Sequence, residues 1–152
     1  MFEPPLVIFS ADTHTAEHGT VDLVGSTIVV DKDDFVGVKL AAQALVNDLG
    51  RVVGGRGAAL VQSARDSPVS LKSKTAIVIG SIGSSTIIQE LVEQGLIDVD
   101  TIRGKWECFT TKVINSPSGL PGCDRALVVA GSDKRGAIYG VYTLTEQIGV
   151  SP

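Results

Sequence analysis

The sequence predicts an α/β fold, a mixed and largely buried β-sheet with helices on its faces, in a single small domain over residues 1–152. Two apolar segments, residues 27–30 and 75–79, are rich in β-branched side chains and are typical of buried strands. A stretch with helical periodicity follows each of them. Strands that alternate with helices in this way favour a sheet with helices packed against it.

Six strands and three helices are predicted along the chain. The strands comprise residues 6–9, 27–30, 58–61, 75–79, 107–114 and 125–130. The helices comprise residues 35–53, 84–94 and 132–148. Because the turn-rich segment 116–122 separates the last two strands, we expect them to form a hairpin.

The helix at residues 35–53 has a clear apolar face. Its apolar side chains recur at steps of three and four residues, so one side of the helix is expected to be buried. Asp31, Asp33 and Asp34 come just before it, and we expect their carboxylates to cap its N-terminus.

Composition and charge are those of an ordinary soluble globular protein. The 152 residues are 43% apolar and 20% charged, with a formal net charge of -4 and with basic residues scattered singly. An acidic balance without a basic stripe argues against nucleic acid or an anionic membrane surface as a partner. No apolar run approaches the ~18 residues that cross a bilayer, and the first residues lack a signal-peptide pattern.

The two cysteines, Cys108 and Cys123, are expected to be free thiols. Cys123 lies beside the turn of the predicted hairpin, whereas Cys108 lies about seven residues along the opposite strand. At ~3.3 Å per residue this separation is roughly 20 Å, and a disulfide requires Cα atoms within ~7 Å.

The glycine- and serine-rich segment at residues 80–85 follows a buried strand and opens a helix. At such a position backbone N–H groups can bind a phosphate or carboxylate, with Gly80 and Ser84 as the candidate residues. The segment matches neither the dinucleotide-binding fingerprint nor the Walker motif. A plain strand-to-helix turn, in which the glycines allow tight geometry and the serines cap the helix, is the favoured interpretation.

The segment SDKRG at residues 132–136 repeats this arrangement after the last strand. Ser132 is placed to cap the helix, and Asp133 suits the positive end of the helix dipole. With Arg135, these residues form a second candidate site for an anionic ligand.

The last predicted helix has two distinct faces. Gly136 and Gly140 lie one turn apart, which permits close approach to a neighbouring backbone. Amphipathic aromatic side chains on another face suit an interface with a partner, the alternative being ordinary surface tyrosines. The candidate interface residues are Trp106, Tyr139, Tyr142 and Glu146.

His14 to His18 match the H-x-x-E-H spacing of zinc peptidases, which on a helix places two imidazoles one turn apart. However, Gly19 follows directly, and no second helix offers an obvious carboxylate ligand. A solvated loop is therefore favoured, and no metal or cofactor is predicted. No nucleophile, triad or carboxylate pair forms a catalytic constellation, so no catalytic residue is assigned.

Three segments of the chain, at residues 80–85, 102–107 and 130–140, together resemble glycoside hydrolase family 115, the xylan α-1,2-glucuronidases. The ending at residues 144–152, LTEQIGVSP, looks like the run that leads into the catalytic (β/α)8 barrel in that family. The R-G-x-x-Y-G core at residues 135–140 is also similar to the small α/β domains that precede barrels in family 67 glucuronidases and some hexosaminidases.

The resemblance implies a non-catalytic N-terminal domain of a secreted, xylan-degrading glucuronidase. Its expected partner is the catalytic barrel of the same polypeptide, with xylan or a uronic acid as a candidate ligand. Because the catalytic carboxylates of such enzymes lie on barrel strands and loops, the chain alone is expected to be inactive.

The ending also predicts a piece of a larger protein, because a strand that feeds a helix normally returns to the sheet. The alternative function is a stand-alone carbohydrate- or anion-binding module. Such a module would bind a uronic acid carboxylate at the helix N-termini near Ser84 or Ser132.

Overall fold

The computed structural model describes residues 7, 19–54, 59–64, 69, 71 and 73–150, which form an α/β fold. The strands are β1 (Thr27–Asp31), β2 (Ala59–Ser63), β3 (Thr75–Ser81), β4 (Phe109–Asn115) and β5 (Arg125–Gly131). The helices are α1 (Val36–Val52), α2 (Thr86–Glu93) and α3 (Lys134–Gln147). The predicted fold class and these elements are confirmed, with ends that differ by up to about two residues. The predicted strand at residues 6–9 lies, apart from Val7, outside the described residues.

In the described part of the chain the strands form one mixed sheet in the order β2-β1-β3-β5-β4. Four of them run parallel, and β4 pairs antiparallel to β5 at one edge. This pairing confirms the predicted hairpin. Cys108 and Cys123 precede its two strands, lie at its opposite ends and are free thiols, as predicted.

Almost every residue of the central strands β3 and β5 is buried. Because successive residues of a strand point to opposite faces, both faces of the sheet are covered there. On one face α1 and α3 pack side by side, with a core that includes Ile28, Leu45, Ile77, Val141 and Leu144. On the other face lies α2, with a core that includes Val78, Ile88, Leu91, Val99 and Val128. Each fully buried aliphatic side chain stabilises the folded state by roughly 2 kcal/mol relative to leaving it exposed to water. None of the described helices is both long enough and apolar enough to span a bilayer.

The close approach predicted from Gly136 and Gly140 is confirmed. A Cβ atom at Gly136 would lie 2.0 Å from the Cys108 carbonyl oxygen, and one at Gly140 would lie 2.5 Å from Val129 Cγ1. Only glycine therefore lets α3 pack this closely onto β5 and the residue before β4.

The predicted capping of α1 by the preceding aspartates is wrong. Phe35 occupies the position before the helix, and no side chain caps it with a hydrogen bond. Asp31 and Asp34 instead bind groups at the start of α2 and the end of β3. The two carboxylates thus bind partners that are far away in the sequence instead of the nearby N–H groups of α1.

Candidate functional site

The polar residues predicted to bind a ligand lie at the carboxyl edge of the sheet. β1 and β3 are neighbours in the sheet. From β1 the chain passes through α1 to β2 on one side of this pair, whereas from β3 it passes to β4 and β5 on the opposite side. In an open α/β sheet such a reversal creates a crevice at the strand ends, and ligands usually bind there. In this chain the crevice lies between β1 and β3.

Two buried aspartates fill the crevice. Asp34 is only 3% exposed; its Oδ1 accepts a 2.6 Å hydrogen bond from Ser81 Oγ, and its Oδ2 accepts one of 2.9 Å from Ser81 N. Asp31 is fully buried and accepts hydrogen bonds from Thr86 N and Oγ1. Each aspartate also accepts a backbone N–H from its own loop. All four carboxylate oxygens thus have a donor within the chain.

The N-terminus of α2, the first predicted anion site, is bound by the chain's own side chains. Thr86 N donates to Asp31 Oδ2 over 2.7 Å, and Ile88 N donates to Ser85 Oγ over 3.3 Å. Ser85 is therefore the capping serine. The Asp31 carboxylate stands where an anionic ligand would bind.

Gly80 and Ser84, the predicted ligand residues of this turn, have other contacts. A Cβ atom at Gly80 would lie 2.6 Å from Ser85 Oγ and from Ile88 Cγ1, so the glycine allows the turn to pack against its own helix. Ser84 is half-buried, and its backbone N–H donates to Ser81 O over 3.4 Å. This geometry matches the plain strand-to-helix turn that the sequence favoured.

The N-terminus of α3, the second predicted anion site, is capped by Asp133 rather than by Ser132. Asp133 Oδ1 accepts a 2.7 Å hydrogen bond from Gly136 N, and Oδ2 accepts one of 3.0 Å from Glu107 N. Both bonds hold the pKa of the Asp133 carboxyl below its ordinary value, and the bond from Gly136 N has the larger effect. A carboxylate that already occupies this helix end repels a second anion.

Ser132 and Arg135 bind the same loop as Asp133. Cys108 N donates to Ser132 Oγ over 3.0 Å, and Ser132 N donates to Cys108 O over 2.8 Å. Arg135 Nη1 lies 2.6 Å from Glu107 Oε1, and this ion pair raises the pKa of the guanidinium group. The structure thus brings the three predicted residues together, but the group that they hold is the loop before β4, at Glu107 and Cys108. Ser132, Asp133 and Arg135 are termed the loop clamp.

The loop clamp fixes a strained backbone. Glu107 has a φ of 58°, a left-handed conformation that costs a residue with a side chain about 1 kcal/mol. Such strain persists only where surrounding contacts enforce it, and the bond from Glu107 N to Asp133 is such a contact. Trp106, the neighbouring residue, is 87% exposed. This predicted interface residue therefore projects into solvent from a fixed loop.

The other predicted interface residues lie on the outward side of α3. Tyr139 and Tyr142 are 43% and 54% exposed, and Glu146 is exposed as well. On the outward side of the neighbouring helix α1, sequence reasoning missed the exposed Phe35, Val36 and Leu40. Lys134 Nζ lies 5.8 Å from the centre of the Phe35 ring, so the two helices adjoin there. These five apolar residues and Glu146 are termed the outer helical surface.

A shallow open groove of about 330 Å³ runs along α2. Ile82, Gln89, Glu93 and Arg103 are among the residues that line it, whereas none of the five predicted ligand-binding residues does. Gln89 Nε2 donates to Glu93 Oε1 over 2.9 Å, so two of its polar groups bind each other. The groove thus lacks a set of convergent polar groups for a ligand.

Metal and thiol chemistry find little support in the described part of the chain. No group of three or more His, Cys, Asp or Glu side chains that could hold a metal ion is present there, and His14 to His18 lie outside it. Burial raises the pKa of the Cys123 thiol, which favours its unreactive protonated form. The half-buried Cys108 donates its thiol hydrogen to Trp106 O over 3.3 Å.

Comparison with known proteins relates this fold to glycosidases. No family model matches the chain, and no curated protein matches it. Its structure is similar to that of a family GH115 4-O-methyl-α-glucuronidase, BtGH115A, described as specific for decorated arabinogalactans. The match has 26% sequence identity and a TM-score of 0.56, and it covers 84% of this chain and 14% of that chain.

A second solved structure, CpGH84D, shares the fold. Its sequence identity is 15% and its TM-score 0.50, over 84% of this chain and 18% of that chain. The chain is thus a glycosidase-related domain, and it spans only 14% and 18% of the lengths of these two proteins.

Proposed function

We propose that this chain is a non-catalytic domain of a larger glycoside hydrolase that packs beside the catalytic barrel of the same polypeptide. In the finer form of the proposal, the parent enzyme is a secreted α-1,2-glucuronidase that acts on xylan. The observation that carries the proposal is the filled crevice at the carboxyl edge of the sheet.

The filled crevice argues against a ligand site of the usual α/β kind. Asp31 and Asp34 are buried, and each of their carboxylate oxygens already accepts a hydrogen bond from the chain. A ligand in the crevice would have to displace charge-assisted hydrogen bonds, each of which is worth roughly 2 kcal/mol. The edge therefore stabilises the fold instead of performing chemistry.

The helix N-termini lead to the same conclusion. Asp31 occupies the start of α2, and Asp133 occupies the start of α3. An anion-binding module would need these N–H groups to be available, so the proposal of a packing domain has more support than the alternative of a uronic-acid-binding site at Ser84 or Ser132.

The outer helical surface is suited to contact with a barrel. It places the apolar side chains of Phe35, Val36, Leu40, Tyr139 and Tyr142 on adjoining helices, and tyrosine is enriched at protein interfaces. Since the two glycosidase chains with this fold are several times longer than the matched part, a further domain of the same polypeptide is the best-supported partner.

An activity assay tests the absence of catalysis. The pure 152-residue chain is expected to release no 4-O-methylglucuronic acid from glucuronoxylan, because the catalytic carboxylates of such enzymes lie on barrel strands and loops. Release by the pure chain that is lost on heat unfolding would contradict the proposal.

A genetic observation tests the partner. The gene is expected to encode a (β/α)8 barrel in the same reading frame as this segment, and sequencing on both sides of the segment would reveal it. A polypeptide without such a domain would overturn the proposed packing role.

Calorimetric titration with glucuronic acid tests the alternative function, a uronic-acid-binding module. Such a module would give a heat of binding, and this heat would be lost at high salt because salt screens the attraction between the carboxylate and a helix N-terminus.

A further inference from the structure

Trp106 is the most exposed large apolar side chain in the described part of the chain, at 87%. It is also the only tryptophan of the whole sequence. The indole ring is the largest apolar side-chain surface available, and exposure of this degree leaves almost all of it in water. Both hydrophobic cores of the described chain are built from aliphatic side chains and cysteines, so this ring lies apart from them.

The backbone that follows the indole is held in place by contacts with the start of α3. Cys108 exchanges two hydrogen bonds with Ser132, and Glu107 is bound through both its N–H and its carboxylate. Gly136 has no Cβ atom, which lets the Cys108 carbonyl oxygen approach α3. The indole is therefore presented from a loop that loses little freedom on binding, and such preorganisation strengthens recognition.

We infer that Trp106 is a stacking platform for the pyranose rings of a glycan. The ring is flanked by polar side chains, with Lys105 before it and the Glu107–Arg135 pair after it. A pyranose matches this arrangement, because one face of the sugar presents C–H groups to the negative face of the indole while its hydroxyl groups reach the polar rim. The choice of a glycan rests on the proposed function, since it follows from the likeness to glycosidase domains.

A protein partner fits this part of the surface less well. The outer helical surface offers adjoining apolar side chains on two helices, as the core of a protein interface does. The two sequence neighbours of Trp106, Lys105 and Glu107, are instead exposed and charged, and charged residues are depleted at the centres of protein interfaces. The platform also lies outside the filled crevice, so glycan binding here does not require the displacement of Asp31 or Asp34.

Fluorescence titration of the 152-residue chain tests the platform directly, because Trp106 is its only tryptophan. The probes are xylohexaose, an aldouronic xylo-oligosaccharide and arabinogalactan. We expect a saturable shift of the emission to shorter wavelength, with a Kd on the order of 1 mM, because an open platform covers one face of the sugar only. Tighter binding of the aldouronic probe than of xylohexaose would show that a carboxylate adds to the shared stacking chemistry.

Matched variants assign the binding to the indole. Trp106→Ala is expected to abolish the retardation of the chain in gels that contain glucuronoxylan, whereas Tyr142→Ala, which removes an exposed ring of the outer helical surface, should keep it. Both residues are exposed, so circular dichroism should show folded variants.

Two results would overturn the inference. One is emission that none of the three probes changes at ~10 mM, where a millimolar site would be mostly filled. The other is an emission shift that depends on protein concentration without any glycan, which would assign the indole to a contact between protein chains. Neither result bears on the proposed function, which the activity assay and the reading frame decide separately.

Discussion

Asp34 and Asp133 follow parallel strands of the same sheet, yet they stabilise very different parts of the molecule. Asp34 follows β1, is sealed from solvent, and binds the end of β3. Asp133 follows β5, is partly exposed, and binds a surface loop through Glu107. Each carboxylate accepts hydrogen bonds from backbone N–H groups. The two therefore make the same kind of bond and differ in their exposure to solvent. We therefore expect Asp34 to govern the stability of the whole domain and Asp133 the order of one loop.

The largest effect is expected from Asp34→Asn. The amide keeps the volume but places a donor among the donors from Ser81, so the free energy of unfolding should fall by about 3 kcal/mol. Urea denaturation would measure this loss. The matched control is Asp33→Asn, since the Asp33 side chain is exposed, and it should change stability by less than about 0.5 kcal/mol. Equal losses in both variants would contradict the assigned role of Asp34.

Gly136→Ala tests the contact on which the loop clamp depends. A Cβ atom 2.0 Å from the backbone oxygen of Cys108 forces the helix and the loop apart, with an expected loss of about 2 kcal/mol in urea denaturation. Gly37→Ala is the control, because its Cβ atom would meet the flexible side chains of Ile138 at 3.2 Å and Lys134 at 4.0 Å and no backbone atom. It should be neutral or stabilising by up to about 1 kcal/mol, owing to the better helix propensity of alanine.

The pH dependence of loop order should follow Asp133. Because its pKa is lowered in the folded chain, its contribution is complete above the ordinary value of about 4 and is lost as the pH falls through the lower folded value. The fluorescence anisotropy of Trp106 should therefore drop below about pH 4. In Asp133→Asn the anisotropy should be low at neutral pH and insensitive to acid. An unchanged acid transition in that variant would assign the change to another group.

The smallest effect is expected from Arg135→Ala. The ion pair with Glu107 is short but largely exposed, at 66% for the Arg135 side chain, and solvent screening leaves such pairs with little effect on stability. Urea denaturation should show little difference from the unmodified chain, and the difference should shrink further at high salt. A loss as large as that of Gly136→Ala would show that the ion pair, and not the backbone contacts, fixes the loop.

The sequence predicted the elements well because their signals are local. The β-branched runs of β1 and β3, the three-to-four periodicity of α1 and the turn before β5 each depend on neighbouring residues. The glycine pair at Gly136 and Gly140 was likewise informative, since its spacing alone indicated a close approach.

The candidate site was harder to predict because its bonds join distant residues. Asp34 and Ser81 are 47 positions apart, Asp31 and Thr86 are 55 apart, and Glu107 and Asp133 are 26 apart. A carboxylate before a helix is usually a cap, and only the strand order shows that β3 ends beside Asp34. Ser132 and Arg135 were grouped correctly, but the sequence could not show that their partner is a loop of the same chain.

The antiparallel strand β4 has a consequence for solubility. It forms one lateral edge of the sheet, and Lys112 stands exposed at its middle. A charged side chain on an edge strand discourages another chain from pairing with it, because the added strand and its side chains would partly cover the ammonium group. The β4 edge of the sheet therefore resists extension by a strand of another chain.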